Sequence, residues 1–379
     1  MPENVKGSYS EFDNVDFVLT FQNRKIVCNS IRIEGDFVPK AAAGDLLHDN
    51  TNVELLYDGT VGSHAFIDQV QTEFQTMGVV ENLSSYARYV KMKAGAMLTE
   101  DELFSSRAVC EMRVGQQQAT NVLMRGPQTG VSSGNTYDST KYARNALDFS
   151  MKPSICLNNA TSSDGVPHLS YRKTGAIRIS IRVARNSNVL YGSDAVAGTT
   201  ATASYVLQNL KVCFISVADD GKLNPIVLKT KLSIKQSVAS SFVNLATKVP
   251  AVCTAVSCSF LKQSSENQFV PNTLQTEKPP DITQVQFMFN DSTNEYISYV
   301  LKTDIEMIDR YLESFQGIDS NETSLVKLKA NKSYGLGLDF GRGKMIDLSN
   351  QKFNIQIQSG ILSSDPYVMF CYFHSVLQV

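Results

Sequence analysis

Tryptophan is absent from the 379 residues, and histidine occurs only four times. Without an indole, the flat stacking surface that sugar sites favour is left to the fifteen tyrosines. His48, His64, His168 and His374 lie far apart, so the close His-x-His pair of a cupin-type metal site is missing. An excess of basic charge is missing too. Thirty-five Lys and Arg against 37 Asp and Glu leave a net charge of −2, which argues against a chain whose task is to coat nucleic acid. No window approaches the roughly 18 apolar residues of a membrane span. The opening Met1-Pro2-Glu3-Asn4-Val5-Lys6-Gly7 has no apolar core, so no signal peptide is expected. Seven scattered cysteines, an odd number, predict free thiols in a reducing, soluble compartment. Cys253 and Cys258 form a C-x4-C without a second pair or a nearby histidine, so no zinc site is expected.

What the chain does have is period-two alternation. Ile177, Ile179, Ile181 and Val183 alternate with Arg178, Ser180, Arg182 and Ala184, the mark of a half-buried strand. Val15 to Phe21, Ile26 to Ile33 and Tyr205 to Ser216 read likewise. The apolar stretch Val212 to Val217 ends at Ala218-Asp219-Asp220-Gly221, a chain-reversal signal. Strands resume at Pro225-Ile226-Val227-Leu228 and Leu232-Ser233-Ile234. Phe353, Ile355 and Ile357 alternate with Asn354, Gln356 and Gln358, and Tyr367 to Phe373 reads as a central strand. Many short strands separated by Gly, Asn and Ser turns predict sandwiches or barrels. The length favours two domains, divided near Ala218–Gly221.

Helices are expected to be few: 81–92, 100–110 (started by Thr99 with Glu102) and 303–315. The last follows a strand with Val285, Phe287 and Phe289 on one face and a polar turn at 290–294. Thr303 with Glu306 is a capping box. Ile305, Ile308, Tyr311, Leu312 and Phe315 form its apolar face, while Asp304, Asp309, Arg310 and Glu313 point away. Such a unit, a helix with one sticky face laid on a β body, reads as an assembly part. Four long polar segments (115–145, 158–172, 186–204 and 262–281) are either surface excursions or neighbour contacts.

Chemistry-bearing motifs fail on detail. In Gly335-Leu336-Gly337-Leu338-Asp339-Phe340-Gly341-Arg342-Gly343-Lys344, five residues instead of four separate Gly337 from Gly343. Met345 stands where a phosphate loop needs Ser or Thr. These glycines are read as tight turns or bulges. His64 is read as a hydrogen-bonded structural residue at the start of a strand. Lys327, Lys329 and Lys332 suit a solvated strand face, without interleaved aromatics to stack bases. No catalytic, cofactor-binding or metal-binding residues are assigned, and no cofactor is expected.

Several blocks, taken in order, resemble the double jelly-roll major capsid proteins of icosahedral double-stranded DNA viruses, of the polinton-like virus and virophage type. They are Gly62-Ser63-His64-Ala65-Phe66-Ile67-Asp68-Gln69-Val70 with Val79-Val80-Glu81-Asn82-Leu83-Ser84-Ser85-Tyr86-Ala87-Arg88; Gly175-Ala176-Ile177-Arg178-Ile179-Ser180-Ile181 running to Leu190-Tyr191-Gly192 and Tyr205-Val206-Leu207-Gln208-Asn209-Leu210; Pro279-Pro280-Asp281-Ile282 through Phe289-Asn290-Asp291-Ser292; and Phe353 to Tyr372. The resemblance implies an all-β fold of two tandem eight-stranded antiparallel jelly-roll sandwiches, with a few short helices in connecting loops. Residues 1–218 would form the first jelly roll and 219–379 the second.

It further implies a non-enzymatic shell protein. Homotrimers would form pseudo-hexameric capsomers and assemble, with penton and minor capsid proteins, into an icosahedral virion enclosing DNA. Assembly would take place in the host-cell cytoplasm or nucleus. No small-molecule ligand is expected, and direct nucleic-acid contact is expected to be weak or absent because a long basic N-terminal arm is lacking. The competing readings are a β-sandwich receptor- or glycan-binding spike and a penton or minor capsid protein.

Overall fold

The computed structural model describes residues 2–40, 55–97, 110–113, 120–122, 147–163, 165–192, 204–222, 225–249, 252–269, 272–276, 278, 281–289, 300–315, 334–340, 345–349 and 351–379. In chain order the principal strands are β1 (Asn14–Leu19), β2 (Arg32–Lys40), β3 (Ile67–Phe74), β4 (Gly78–Ser84), β5 (Leu147–Met151), β6 (Ile177–Val183) and β7 (Ser204–Cys213). They continue as β8 (Ile226–Val238), β9 (Phe242–Thr247), β10 (Val252–Lys262), β11 (Gln284–Phe289), β12 (Leu336–Asp339), β13 (Phe353–Gln358) and β14 (Tyr367–Gln378). Helix α1 (Tyr86–Met97) follows β4, and helix α2 (Asp304–Glu313) precedes β12.

One long sheet runs in the order β1-β6-β3-β4-β8-β14-β10-β12. Its first four strands come from the N-terminal part of the chain and its last four from the C-terminal part. Every neighbour in it is antiparallel except at the middle, where β4 meets β8 in parallel at Asn82 and Leu232. Two further sheets, β7-β2-β5 and β9-β13-β11 with Val300–Leu301, complete a sandwich on either side of that meeting point. Ring contacts mark the two cores. Phe37 of β2 stacks on Phe66 at 4.7 Å, and Phe353 of β13 meets Phe373 of β14 edge-on at 5.8 Å. Burial alternates strictly along β6, as its Ile/Arg/Ile/Ser pattern requires. The run Tyr367 to Phe373 lies in β14, which is paired on both sides, by β8 and β10, and is buried throughout, as expected of a central strand.

Three expectations need correction. The helix read at 81–92 occupies Tyr86–Met97 instead. Glu81 to Ser84 finishes β4, and Ser85, at φ +51°, turns the chain before the helix starts. In α2 the capping box forms as read, but Ile305 is 64% exposed, and Met307 joins Ile308, Tyr311, Leu312 and Phe315 in the core. Strand β12 packs beneath the helix's C-terminal half, since Gly337 lies against Tyr311 and Ser314. Ile305, in the first turn, overhangs that support. The strand read over Tyr205 to Ser216 ends early: β7 stops at Cys213, Ile215 is 60% exposed, and Ser216–Ala218 crosses to pair with Arg24–Ile26. The Asp-Gly reversal forms, with Gly221 at φ +76° and its N–H donating to Asp219 Oδ1 at 2.9 Å. The helix expected at 100–110, Cys110 apart, the polar turn at 290–294, and the basic strip at 327–332 lie outside the described residues, as does most of 115–145.

Candidate assembly surfaces

The seam where β4 meets β8 holds a buried pair of opposite charges. Glu81 of β4 and Lys231 of β8 are both fully buried and stand 3.9 Å apart, yet among the described residues neither Glu81 Oε1 nor Lys231 Nζ has a hydrogen-bond partner. Glu81 Oε2 accepts the Cys156 backbone N–H at 2.7 Å, and the Lys231 ammonium lies 5.3 Å from the centre of the Tyr89 ring. Burial pushes the Glu81 carboxyl above its ordinary range and the Lys231 ammonium below its own, while each charge partly restrains the other.

Around this pair the two parts of the chain are tied by hydrogen bonds that each cross the seam. Ser84 N–H donates to Ser233 Oγ at 2.9 Å, Tyr372 Oη to the Ser85 carbonyl at 3.0 Å, and Asn272 Nδ2 to Asp58 Oδ2 at 2.8 Å. The Arg88 guanidinium donates to the carbonyls of Thr273 and Gln275 and covers the Phe370 ring at 4.4 Å.

The histidines and cysteines do not converge on a site among the described residues. His64 is buried, with Nδ1 2.8 Å from Tyr86 Oη and Nε2 3.3 Å from Glu111 Oε2. His374 sits between Tyr89 and Phe315, its Nε2 2.9 Å from Ser257 Oγ. Desolvation, with the charges of Lys231 and Lys93, lowers its pKa to about 3. His168 lies on a short strand, and His48 falls outside the described residues. Cys258 faces Cys371 across the β10–β14 ladder, with the two free sulfurs 3.3 Å apart, and Cys253 lies elsewhere on β10. Gly335 and Gly337 serve packing. A Cβ on Gly335 would overlap the Cys258 carbonyl oxygen, and one on Gly337 would come within 2.8 Å of the Tyr311 backbone.

Sheet edges are treated unequally. The N-terminal segment reaches one edge of each sheet of the first sandwich: Glu3 N–H donates to the Asp16 carbonyl of β1 at 2.7 Å, and Tyr9 bridges Leu207 of β7. Among the described residues nothing pairs with the outer edge of β9. Phe242-Val243-Asn244-Leu245-Ala246-Thr247 carries no charge and no proline, and Phe242 is 57% exposed. An edge of that composition is a template for protein contact unless a neighbour covers it. Sequence reading missed it because alternation reveals a strand but not its place in a sheet.

No protein-family model matches the chain, and no curated protein matches its sequence. Comparison with solved structures is decisive for the fold. The mavirus major capsid protein aligns at a TM-score of 0.53 with 10% identity, covering 100% of this chain and 86% of that one. The Faustovirus major capsid protein aligns at 0.54 with 9% identity, covering 100% and 89%. A chain of the Sputnik virophage structure aligns at 0.52 with 8% identity, covering 99% and 87%. The chain has the double jelly-roll fold. With identity this low the likeness is one of backbone path.

Proposed function

We propose that this double jelly roll is a major capsid protein. Three copies would form a pseudo-hexameric capsomer, and capsomers would tile an icosahedral shell around a DNA genome. The observation that carries the reading is the extent of the likeness: the whole chain, not one sandwich, superposes on the capsid proteins of mavirus and Faustovirus. The open β9 edge and the exposed Phe242, Ile215 and Val79 supply apolar surface for neighbouring copies. A near-neutral net charge lets many copies crowd together without strong repulsion.

The division into 1–218 and 219–379 belongs to the same proposal. It is supported by strand pairing that stays within each part except where β8 meets β4 and Thr161–Ser162. The shell reading assigns no catalysis, a place in the virion, penton and minor capsid proteins as partners, and at most weak contact with nucleic acid. Light scattering on the purified protein tests it. A particle of three 41.8 kDa chains supports the capsomer. A pentamer points to a vertex protein, and a monomer that binds sugar points to a spike.

A further inference from the structure

A cavity of about 320 Å³ opens at one end of the seam, between the start of β3, the residues following β6 and the end of β8. Four cations line it: Arg88, Arg182, Arg185 and Lys235. Two carboxylates, Asp68 and Glu266, face them. Two of the cations are engaged. Arg88 donates to the Thr273 and Gln275 carbonyls, and Lys235 pairs with Glu266. Arg182 and Arg185 differ. Among the described residues neither guanidinium has a hydrogen bond or ion pair. Their contact is with the ring of Phe12, whose centre lies 5.1 Å from one guanidinium carbon and 5.2 Å from the other. Asp68 acts on them only through space. Among the described residues it makes no ion pair within 4 Å, and burial raises its carboxyl while the charges of Arg182, Lys235 and Arg185 oppose that rise.

Phe12 is itself held in an unfavourable state. Its φ of +67° is a left-handed conformation that a bulky residue rarely adopts, and 41% of its surface is exposed. Its N–H donates to the Val183 carbonyl at 3.0 Å, which fixes the ring beside the two guanidiniums. A rigid aromatic ring flanked by two guanidinium forks that make no ion pair among the described residues, at the mouth of a concave cleft, matches a carboxylate on a narrow chain.

A polyanion fits less well. The neighbouring strand face is of mixed sign, with Arg178 paired to Asp16 at 3.0 Å and near Glu3, so along β6 no continuous basic track leads away from the cleft. We propose that the cleft between the two jelly rolls binds an extended acidic segment of a partner protein, with a carboxylate seated between Arg182 and Arg185 beside Phe12. This inference does not rest on the shell reading, because it concerns a cleft internal to one copy.

The test is fluorescence anisotropy with labelled hexaglutamate at about 0.15 M salt, using the intact protein. Hexaglutamine and a 12-nucleotide single-stranded DNA serve as the comparison probes. Saturable binding of hexaglutamate, absent for hexaglutamine and weakened at least about tenfold in the Arg182→Gln/Arg185→Gln variant, is the expected result. Unchanged circular dichroism would show that the variant is folded. Arg182→Lys/Arg185→Lys, which keeps the charge but loses the fork, should bind more weakly than the parent and more tightly than the glutamine variant, and it serves if the latter does not fold. No saturable hexaglutamate binding, or binding that the substitutions leave unchanged, overturns the proposal. So does tighter binding of the DNA that the same substitutions abolish, which would assign the cleft to nucleic acid. A change of oligomeric state in the variant would assign it to a second copy instead.

Discussion

Replacing Lys231 with Met isolates the contribution of the buried pair at the seam. Methionine fills nearly the same volume, so packing is retained while the charge is removed. At the observed 3.9 Å separation, two unit charges in an effective dielectric of about 20 attract by about 4 kcal/mol. Among the described residues the ammonium has no hydrogen bond to offset its desolvation, so the pair contributes little net stability over an apolar pair. Losing one partner is another matter. Lys231→Met leaves Glu81 buried opposite nothing, and the expected loss is about 3 kcal/mol at pH 7. Glu81→Gln, which still accepts the Cys156 N–H, strands the ammonium and is expected to lose a similar amount.

The double variant strands no charge, so it should recover at least half of the summed losses, a coupling of about 2 kcal/mol or more. The pH dependence adds a sign. In Lys231→Met the folded-state pKa of Glu81 lies above its unfolded value, so the unfolded chain loses its proton first as pH rises. The variant's deficit therefore grows with rising pH and shrinks on acidification towards the ordinary carboxylate range. Urea unfolding followed by tyrosine fluorescence reads this cleanly, since no tryptophan competes and Tyr89 lies beside the ammonium. Single losses under about 1 kcal/mol, or losses that simply add, would refute the account of the seam.

Four further outcomes follow from particular contacts. Thr303→Ala removes the acceptor for the Glu306 N–H and should lower stability by about 1 kcal/mol in a thermal melt, whereas Ile305→Ser, on the overhanging first turn, should leave the melt unchanged. Gly335→Ala would drive a methyl group into the Cys258 carbonyl, and limited proteolysis should show the β10–β12 edge opening before the rest of the chain. His374 has a folded-state pKa of about 3, below its unfolded value. Its neutral form therefore favours folding above the unfolded pKa, and that contribution is lost as pH falls through the window down to about 3. Relative to His374→Gln, the parent should lose up to about 1.4 kcal/mol per pH unit across that window in acid unfolding curves. Phe242→Lys places a charge on the open β9 edge; it should leave the melting temperature within about a degree while lowering the assembled fraction in light scattering, and undiminished assembly would remove that edge from the interface.

Local rules fixed a good deal of this protein in advance. Alternation defined β6 and β13, an unbroken apolar run marked β14 as central, and the Thr303–Glu306 pair located the start of α2, because each pattern depends on residues close in sequence. Lack of clustered histidines and of an intact phosphate loop withheld any catalytic assignment for the same reason. Longer-range features were decided only by folding. Which edge stays open, that Ile305 overhangs while Met307 is buried, and that a glutamate and a lysine 150 positions apart meet at a parallel junction all depend on how two sandwiches are set against each other. Side-chain spacing along a strand or helix records which face is apolar. It does not record how far the supporting layer extends beneath that face, or which distant strand arrives beside it.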